Sequence, residues 1–153
     1  MQAREVEDFD DDLRRQTERM KRLMKDAWGL GLAANQVGIL RRVFVFQETD
    51  ELATALVNPR IVERFEETET DTEGCLSLQE VRVPVERAVA ITAEGRDPEG
   101  GELRLELEGL PARVAQHEID HLDAVLILDR TDPESRRQAL AVLRPQPILG
   151  VSR

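Results

Sequence analysis

The sequence predicts an α+β fold: antiparallel β-sheets packed around a central helix, with one helix near the N-terminus and another near the C-terminus. Three observations predict it. A helical segment with one apolar face opens the chain, five short β signals follow with turns between them, and two further helical segments come last. A parallel α/β sheet needs a helix between successive strands, and the middle of this sequence offers none.

The first helix is expected from Phe9 to Ala27. Asp10, Asp11 and Asp12 complement the positive end of its dipole. Leu13, Met20, Leu23, Met24 and Ala27 recur at helical spacing on one face, and Gly29 is the expected stop. Strand signals follow at 42–46 (RVFVF), 55–62 (ALVNPRIV), 81–85 (VRVPV), 88–92 (AVAIT) and 103–107 (LRLEL), the last two separated by the turn RDPEGGE. The acidic stretch ERFEETETDTEG is too short and too alternating for a disordered tail. Pro111 suits the first turn of a second helix, expected from about Pro111 to about Leu126. A third begins near Asp132 and Pro133 and ends before RPQP at 144–147.

The composition narrows the function. Hydrophobic residues make up 41% and charged residues 34% of 153, the balance of a soluble globular chain long enough for one domain, residues 1–153, with a sizeable core. A formal net charge of −10 argues against wrapping DNA. No apolar run reaches the length of a membrane span, and the polar, acidic start MQAREVEDFDDD lacks the apolar core of a signal peptide. One cysteine cannot form an internal disulfide, so a cytoplasmic setting is expected.

The chemistry concentrates in QHEIDHL. His117 and His121 are the only histidines, and Glu118 follows the first directly. Four residues is about one helical turn, so both imidazoles project from one face and can share a metal ion, the H-E-x-x-H arrangement. On this helix Leu110, Val114 and Val125 are expected near the histidine face and Ile119, Leu122 and Leu126 on its apolar flank. Gln116, Asp120 and Asp123 are expected to point away. A catalytic ion ordinarily has three protein ligands and an open position, and no third histidine exists. A lone cysteine is ordinarily a small buried hydrophobe, but beside an incomplete histidine pair Cys75, in EGCLS, becomes the candidate third ligand. The segment GLGLAANQVG, Gly29 to Gly38, sets Asn35 and Gln36 among small apolar residues. It is no phosphate loop, since no Gly-Lys-Ser/Thr follows.

GLGLAANQVG, EGCLS and QHEIDHL, in this order and at this spacing, closely resemble the three motifs of the peptide deformylases, over about Val6 to Leu143. The resemblance implies a metal-dependent hydrolase that removes the formyl group from the N-terminal formyl-methionine of nascent polypeptides. It implies that Cys75, His117 and His121 hold one divalent metal ion, with Fe2+ native and Zn2+, Ni2+ or Co2+ able to occupy the site. Glu118 would be the general base, passing a proton from metal-activated water to the leaving amine. Gln36 and the backbone N–H of Leu76 would bind the oxyanion. Gly31 would meet the formyl group or the substrate backbone, Arg82 would lie along the peptide path, and Leu30, Leu110 and Val114 would line the methionine pocket. Asn35 is read as structural. Two departures stand out: Ala124 occurs where the third motif usually continues with Gly, a mild change on a helix because Ala favours helix over Gly, and the segment before the first helix is shorter than usual for the family.

Three rivals have distinct requirements. A catalytically dead relative has no use for an intact Glu118 and Gln36. An internal-bond zinc peptidase would use a ligand other than Cys75. A structural metal domain needs a fourth ligand, for which no second Cys or third His exists. Residues 130–153 carry Arg130, Arg136, Arg137, Arg144 and Arg153 against Asp132 and Glu134, a net +3. This tail is expected to be a solvated face or, as the resemblance implies, a ribosome contact beside the emerging nascent chain.

Overall fold

The structure, a computed structural model, describes residues 2–75 and 78–143. In chain order its elements are α1 (Asp11–Asp26), β1 (Gly31–Ala33), a 3-10 turn (Ala34–Val37), β2 (Val43–Gln47), β3 (Ala53–Arg64) and β4 (Thr68–Cys75). Then come β5 (Leu78–Ala88), β6 (Ala90–Arg96), β7 (Glu102–Glu108), α2 (Leu110–Leu122), α3 (Ile127–Arg130) and α4 (Pro133–Leu143). The α+β expectation holds. Two compact units are distinguished: residues up to Glu69 together with Arg87–Leu126, and Thr70–Glu86 together with the described residues from Ile127 on.

The first unit is built on an antiparallel sheet of order β1-β2-β3-β6-β7. Strand alternation assigns its side chains to two layers. Phe44 and Phe46 of β2, Ala33 of β1 and Leu56 of β3 join Ala112, Ala115, Ile119 and Leu122 of α2 in one cluster. The intervening Val43, Val45, Leu32, Ala55 and Val57 join Leu13, Met20 and Met24 of α1 in another. A sheet covered on both faces explains why RVFVF is apolar without alternation.

Local chemistry sets the ends of α1. The Asp10 carboxylate accepts the Leu13 N–H at 3.0 Å, which holds its carboxyl below the ordinary value. At the other end Trp28 N–H donates to Lys25 C=O (3.1 Å) and Gly29 N–H to Met24 C=O (2.9 Å), a Schellman motif. The left-handed residue is therefore Trp28, at φ 57°, and not the expected Gly29. Holding a residue with a Cβ there costs about 1–2 kcal/mol. Leu23, expected inside, is 37% exposed, while Thr17 is buried with Leu13, Met20 and Met24.

One further expectation is corrected and two are refined. The second helix stops at Leu122. Ala124 lies beyond it at φ 60°, with Ala124 N–H donating to His121 C=O and Val125 N–H to Asp120 C=O. Ala124 is thus a second Schellman residue, where a methyl group is a cost and not a helical asset. The acidic stretch is strand, forming the end of β3 and most of β4. The 55–62 strand is interrupted by an irregularity between Val57 and Arg60, where Asn58 turns left-handed (φ 51°). This lets Pro59 sit inside a strand. The Asn58 amide also accepts from Val6 N–H (2.7 Å) and donates to Val6 C=O (2.9 Å), pinning the N-terminal segment.

In the second unit β4 pairs with β5. Val81, Val83 and Val85 of β5 pack with Ile127, Leu128 and Ala139. Thr131 donates to Pro84 C=O at 2.6 Å. Asp132 caps α4 through the Ser135 N–H, and this bond holds its carboxyl below the ordinary value. No helix among the described residues is long and apolar enough to cross a membrane.

Candidate active site

Helix α2 carries the candidate reactive group on its C-terminal two turns, which are buried on every side. Pro111 starts it, and residues from Ala115 to Leu122 are all buried. The one-turn spacing brings His117 Nε2 and His121 Nε2 to 3.1 Å, with ring centroids 4.8 Å apart and the rings tilted by 57°. Two nitrogens at about 2.0–2.1 Å from one tetrahedral ion lie about 3.3 Å apart. The observed separation is therefore close to that of two imidazoles sharing a cation. Among the described residues, the ligand atoms of His117, Glu118 and His121 lie within 4.8 Å of one another. The residues present fit a metal ion.

Gly31 covers this group from β1. A Cβ on Gly31 would lie 2.7 Å from Glu118 Oε2, 2.7 Å from Val114 Cγ1 and 2.9 Å from Glu118 Cγ. Only a residue without a side chain lets the backbone rest against the Glu118 carboxylate. Gln36 follows in the 3-10 turn, and its Oε1 accepts the Ala33 N–H at 2.9 Å. That bond leaves Nε2 as the donating end of the amide. Asn35 Nδ2 donates to the His121 carbonyl, a structural task that ties the turn to the end of α2 beside a histidine of the pair.

The far face of α2 overturns an expectation. Gln116 and Asp120 are 4% and 6% exposed, and do not point into solvent. Arg87 Nη1 donates to Asp120 Oδ2 at 2.6 Å, with both side chains buried. Gln116 accepts the Ala88 N–H (3.2 Å) and donates to Ala88 C=O (2.9 Å). The metal-binding helix is thus clamped to the end of β5 by a buried charge pair and a two-way amide contact. Asp123, by contrast, does reach the surface, where it pairs with Arg42 at 2.7 Å. Arg87 is findable in the sequence: Val81, Val83, Val85 and Arg87 share one parity, so strand alternation aims all four inward.

The other predicted residues divide as follows. Val114 packs against the sheet cluster, whereas Leu30 is 46% and Leu110 58% exposed. Arg82 is exposed in the second unit, with a guanidinium nitrogen 3.2 Å from where a Gly74 Cβ would stand. Cys75 is the last residue of β4; its side chain, and the whole of Leu76, lie outside the described residues. So do Arg144 and Arg153 of the tail.

Residues 1–137 match the family model for polypeptide deformylase. The chain belongs to the peptide deformylase family. Peptide deformylase 1 of Corynebacterium glutamicum is 44% identical over 145 residues, which cover 93% of this chain and 86% of that protein. The crystal structure of peptide deformylase from Thermus thermophilus superposes with a TM-score of 0.87 at 44% identity, covering 94% of this chain and 85% of that one. That from Thermotoga maritima gives 0.82 at 45% identity, covering 86% and 89%. Deformylases are metalloenzymes that remove N-formyl groups from nascent peptides, and the His117/Glu118/His121 group is a candidate metal-binding group that fits this activity.

Proposed function

We propose that this chain, acting as one catalytic domain over residues 1–153, deformylates N-formyl-methionyl peptides with Glu118 as general base and Gln36 as an oxyanion donor. The observation that carries the reading is the Gly31–Glu118 apposition beside the paired histidines. A strand edge that accepts a peptide and a carboxylate that moves a proton meet at one point.

His117 and His121 would hold the ion with Cys75 as third ligand. A divalent ion there supplies Lewis acidity and activates water. Glu118, next in sequence to His117 but about 100° round the helix, faces the water without occupying the ligand position. Its carboxylate takes the water's proton and returns it to the amine nitrogen as the formyl C–N bond breaks. Gln36 Nε2 and the Leu76 N–H donate to the oxygen of the tetrahedral carbon, where one such donor is worth about 2.7–4 kcal/mol of transition-state stabilisation.

Substrate placement follows from β1. Gln47 N–H donates to Leu30 C=O, so in an antiparallel ladder the Leu30 groups face β2 and those of Gly31 face away from it. β1 is the end strand of its sheet, and an extended peptide can add there by its backbone. Val114, Leu30 and Leu110 take the methionine side chain and Arg82 follows the peptide. Ferrous iron is the proposed native ion, as membership of the family implies; thiolate and imidazole donors suit it and zinc alike. A cytoplasmic setting follows from the nascent-chain substrate. The tail's Arg residues, Arg136 and Arg137 among them, are proposed to meet ribosomal phosphates. Glu134 is already paired with Arg137, which weakens that contact.

The test is an anaerobic assay on formyl-Met peptides with metal analysis of the same sample. Turnover that follows metal content supports the reading, and metal-loaded protein without formate release refutes it. Cys75→Ser should lower both metal content and rate, because a hydroxyl is far less acidic than a thiol; unchanged values would remove Cys75 from the ligand set.

A further inference from the structure

We infer that Trp28 is a specificity-determining residue for the third residue of the substrate, counting formyl-methionine as the first, and that it takes an apolar side chain against its indole. This rests on the deformylase reading. Trp28 is the only tryptophan of the chain and is 94% exposed, whereas Phe44 and Phe46 are fully buried. Leu30 in the same short segment is 46% exposed, so two large apolar side chains lie uncovered just before β1. Trp28 is also held in the left-handed conformation, at φ 57°, that a glycine adopts without strain. The Schellman bonds hold this conformation, as they do at Ala124, and so fix the direction in which the side chain leaves the backbone. The indole stands on a firm base: its backbone is fixed by the two Schellman bonds to α1, whose Met20 and Met24 are buried.

Its position relative to the reaction follows from the chain. Trp28 precedes Gly31 by three residues, Gly31 lies on Glu118, and Gln36 follows β1. A peptide whose formyl end sits at Glu118 and Gln36, and which lies along the outer edge of β1, runs antiparallel to it and back toward Trp28. An extended peptide advances about 3.3 Å per residue, so its third residue passes beyond the Gly31 end of β1 to the turn that carries Trp28. The second passes Gly29, which has no side chain to read it. The structure therefore assigns a definite pattern: indifference at position two and selectivity at position three. An aromatic face in an otherwise strongly acidic chain favours an apolar partner and disfavours a carboxylate.

The metal-loaded full chain is assayed on two series, formyl-Met-Ala-Xaa and formyl-Met-Xaa-Ala, with Xaa as Leu, Phe, Ser or Asp. In the first series KM for Leu and Phe should be lower than for Ser by about fivefold, the size of partial burial of such a side chain, with kcat little changed. In the second series KM should vary by less than about twofold. Trp28→Ala should flatten the first series, and Trp28→Phe should restore its ranking. A readout independent of turnover is the emission of Trp28, free of any other indole. It should shift to the blue on saturation with the product Met-Ala-Leu and stay in place with Met-Ala-Ser. An unchanged ranking in Trp28→Ala, or an emission that ignores Met-Ala-Leu, overturns the inference. Normal turnover of formyl-Met-Ala with no preference at position three overturns it while leaving the deformylase reading intact, whereas no formate from any peptide overturns that reading itself.

Discussion

Helices α1 and α2 are of similar length and both cover the same sheet, yet they are built on opposite plans. α1 buries one stripe, Leu13, Thr17, Met20 and Met24, and exposes ion pairs such as Arg14–Asp11 on the other side. α2 exposes almost nothing from Ala115 to Leu122, although five of those eight residues are polar: Gln116, His117, Glu118, Asp120 and His121. Apart from Thr17, the polar side chains of α1 stay on its solvent side, whereas those of α2 from Gln116 to His121 are buried. Apolar periodicity finds the buried face of a helix between sheet and solvent. It cannot find the buried polar face of a helix whose polar groups, such as Gln116 and Asp120, are held by partners distant in the sequence that no spacing encodes.

The largest expected difference is chemical. Glu118→Gln should retain the metal and the fold and lose turnover by a factor of about 10²–10⁴; formate release and metal content on one preparation check it, and near-normal turnover sinks the mechanism. The next is energetic. Asp120→Ala leaves Arg87 charged and buried, which should cost about 3–5 kcal/mol. Arg14→Ala on the exposed side of α1 should cost less than about 1 kcal/mol. Denaturant midpoints of the two variants test the contrast, and comparable losses would erase it.

A smaller effect joins the helices where they are alike. Both end in Schellman motifs with a side chain in the left-handed position, Trp28 and Ala124. Replacement of either by glycine should stabilise the chain by about 0.5–1 kcal/mol, the relief of strain less the added freedom of the unfolded chain. Thermal melts of Ala124→Gly and Trp28→Gly measure it, and a loss at Ala124 would mean that its methyl is packed and not merely strained.

The smallest effect is a pH dependence confined to the exposed caps. Asp10 is held below its ordinary value of 3.8, chiefly by the bond from Leu13 N–H. A carboxyl depressed in the folded state stabilises above its unfolded pKa, and that contribution is lost as pH falls through the folded value. Melting temperature of the parent should therefore fall faster below pH 3.8 than that of Asp10→Asn, which caps without titrating. Parallel curves would show that the cap carries no charge-dependent share.

Much of this molecule is legible in its residues. The α+β class, the start of α1 at its acidic cap, the strands around RVFVF and LRLEL, the start of α4 at Asp132–Pro133 and the pairing of His117 with His121 all rest on patterns repeated over a few neighbours. What fails lacks a signal in the residues of the segment itself. The acidic stretch carries no strand signal because propensity ignores the β5 partner that β4 finds. The second helix reads four residues too long because Ala124 carries no helix-stopping signal. Gln116 and Asp120 read as solvent-facing because their partners, Ala88 and Arg87, lie about thirty residues away.

The sequence by itself determined the chemical inventory: two histidines one turn apart, a carboxylate between them, a glycine-rich segment ending in Gln36, and a single cysteine. Those follow from residue identity and helical pitch alone. Only the tertiary structure decided that Gly31 rests on Glu118, that Asn35 holds the His121 carbonyl, that an arginine–aspartate pair clamps the back of the metal-binding helix, and that the one tryptophan stands in water at the end of the edge strand. Each of these joins groups far apart in the chain or depends on a backbone conformation that many residues permit. Close packing selects among such arrangements, and packing is a property of the assembled layers and not of any segment.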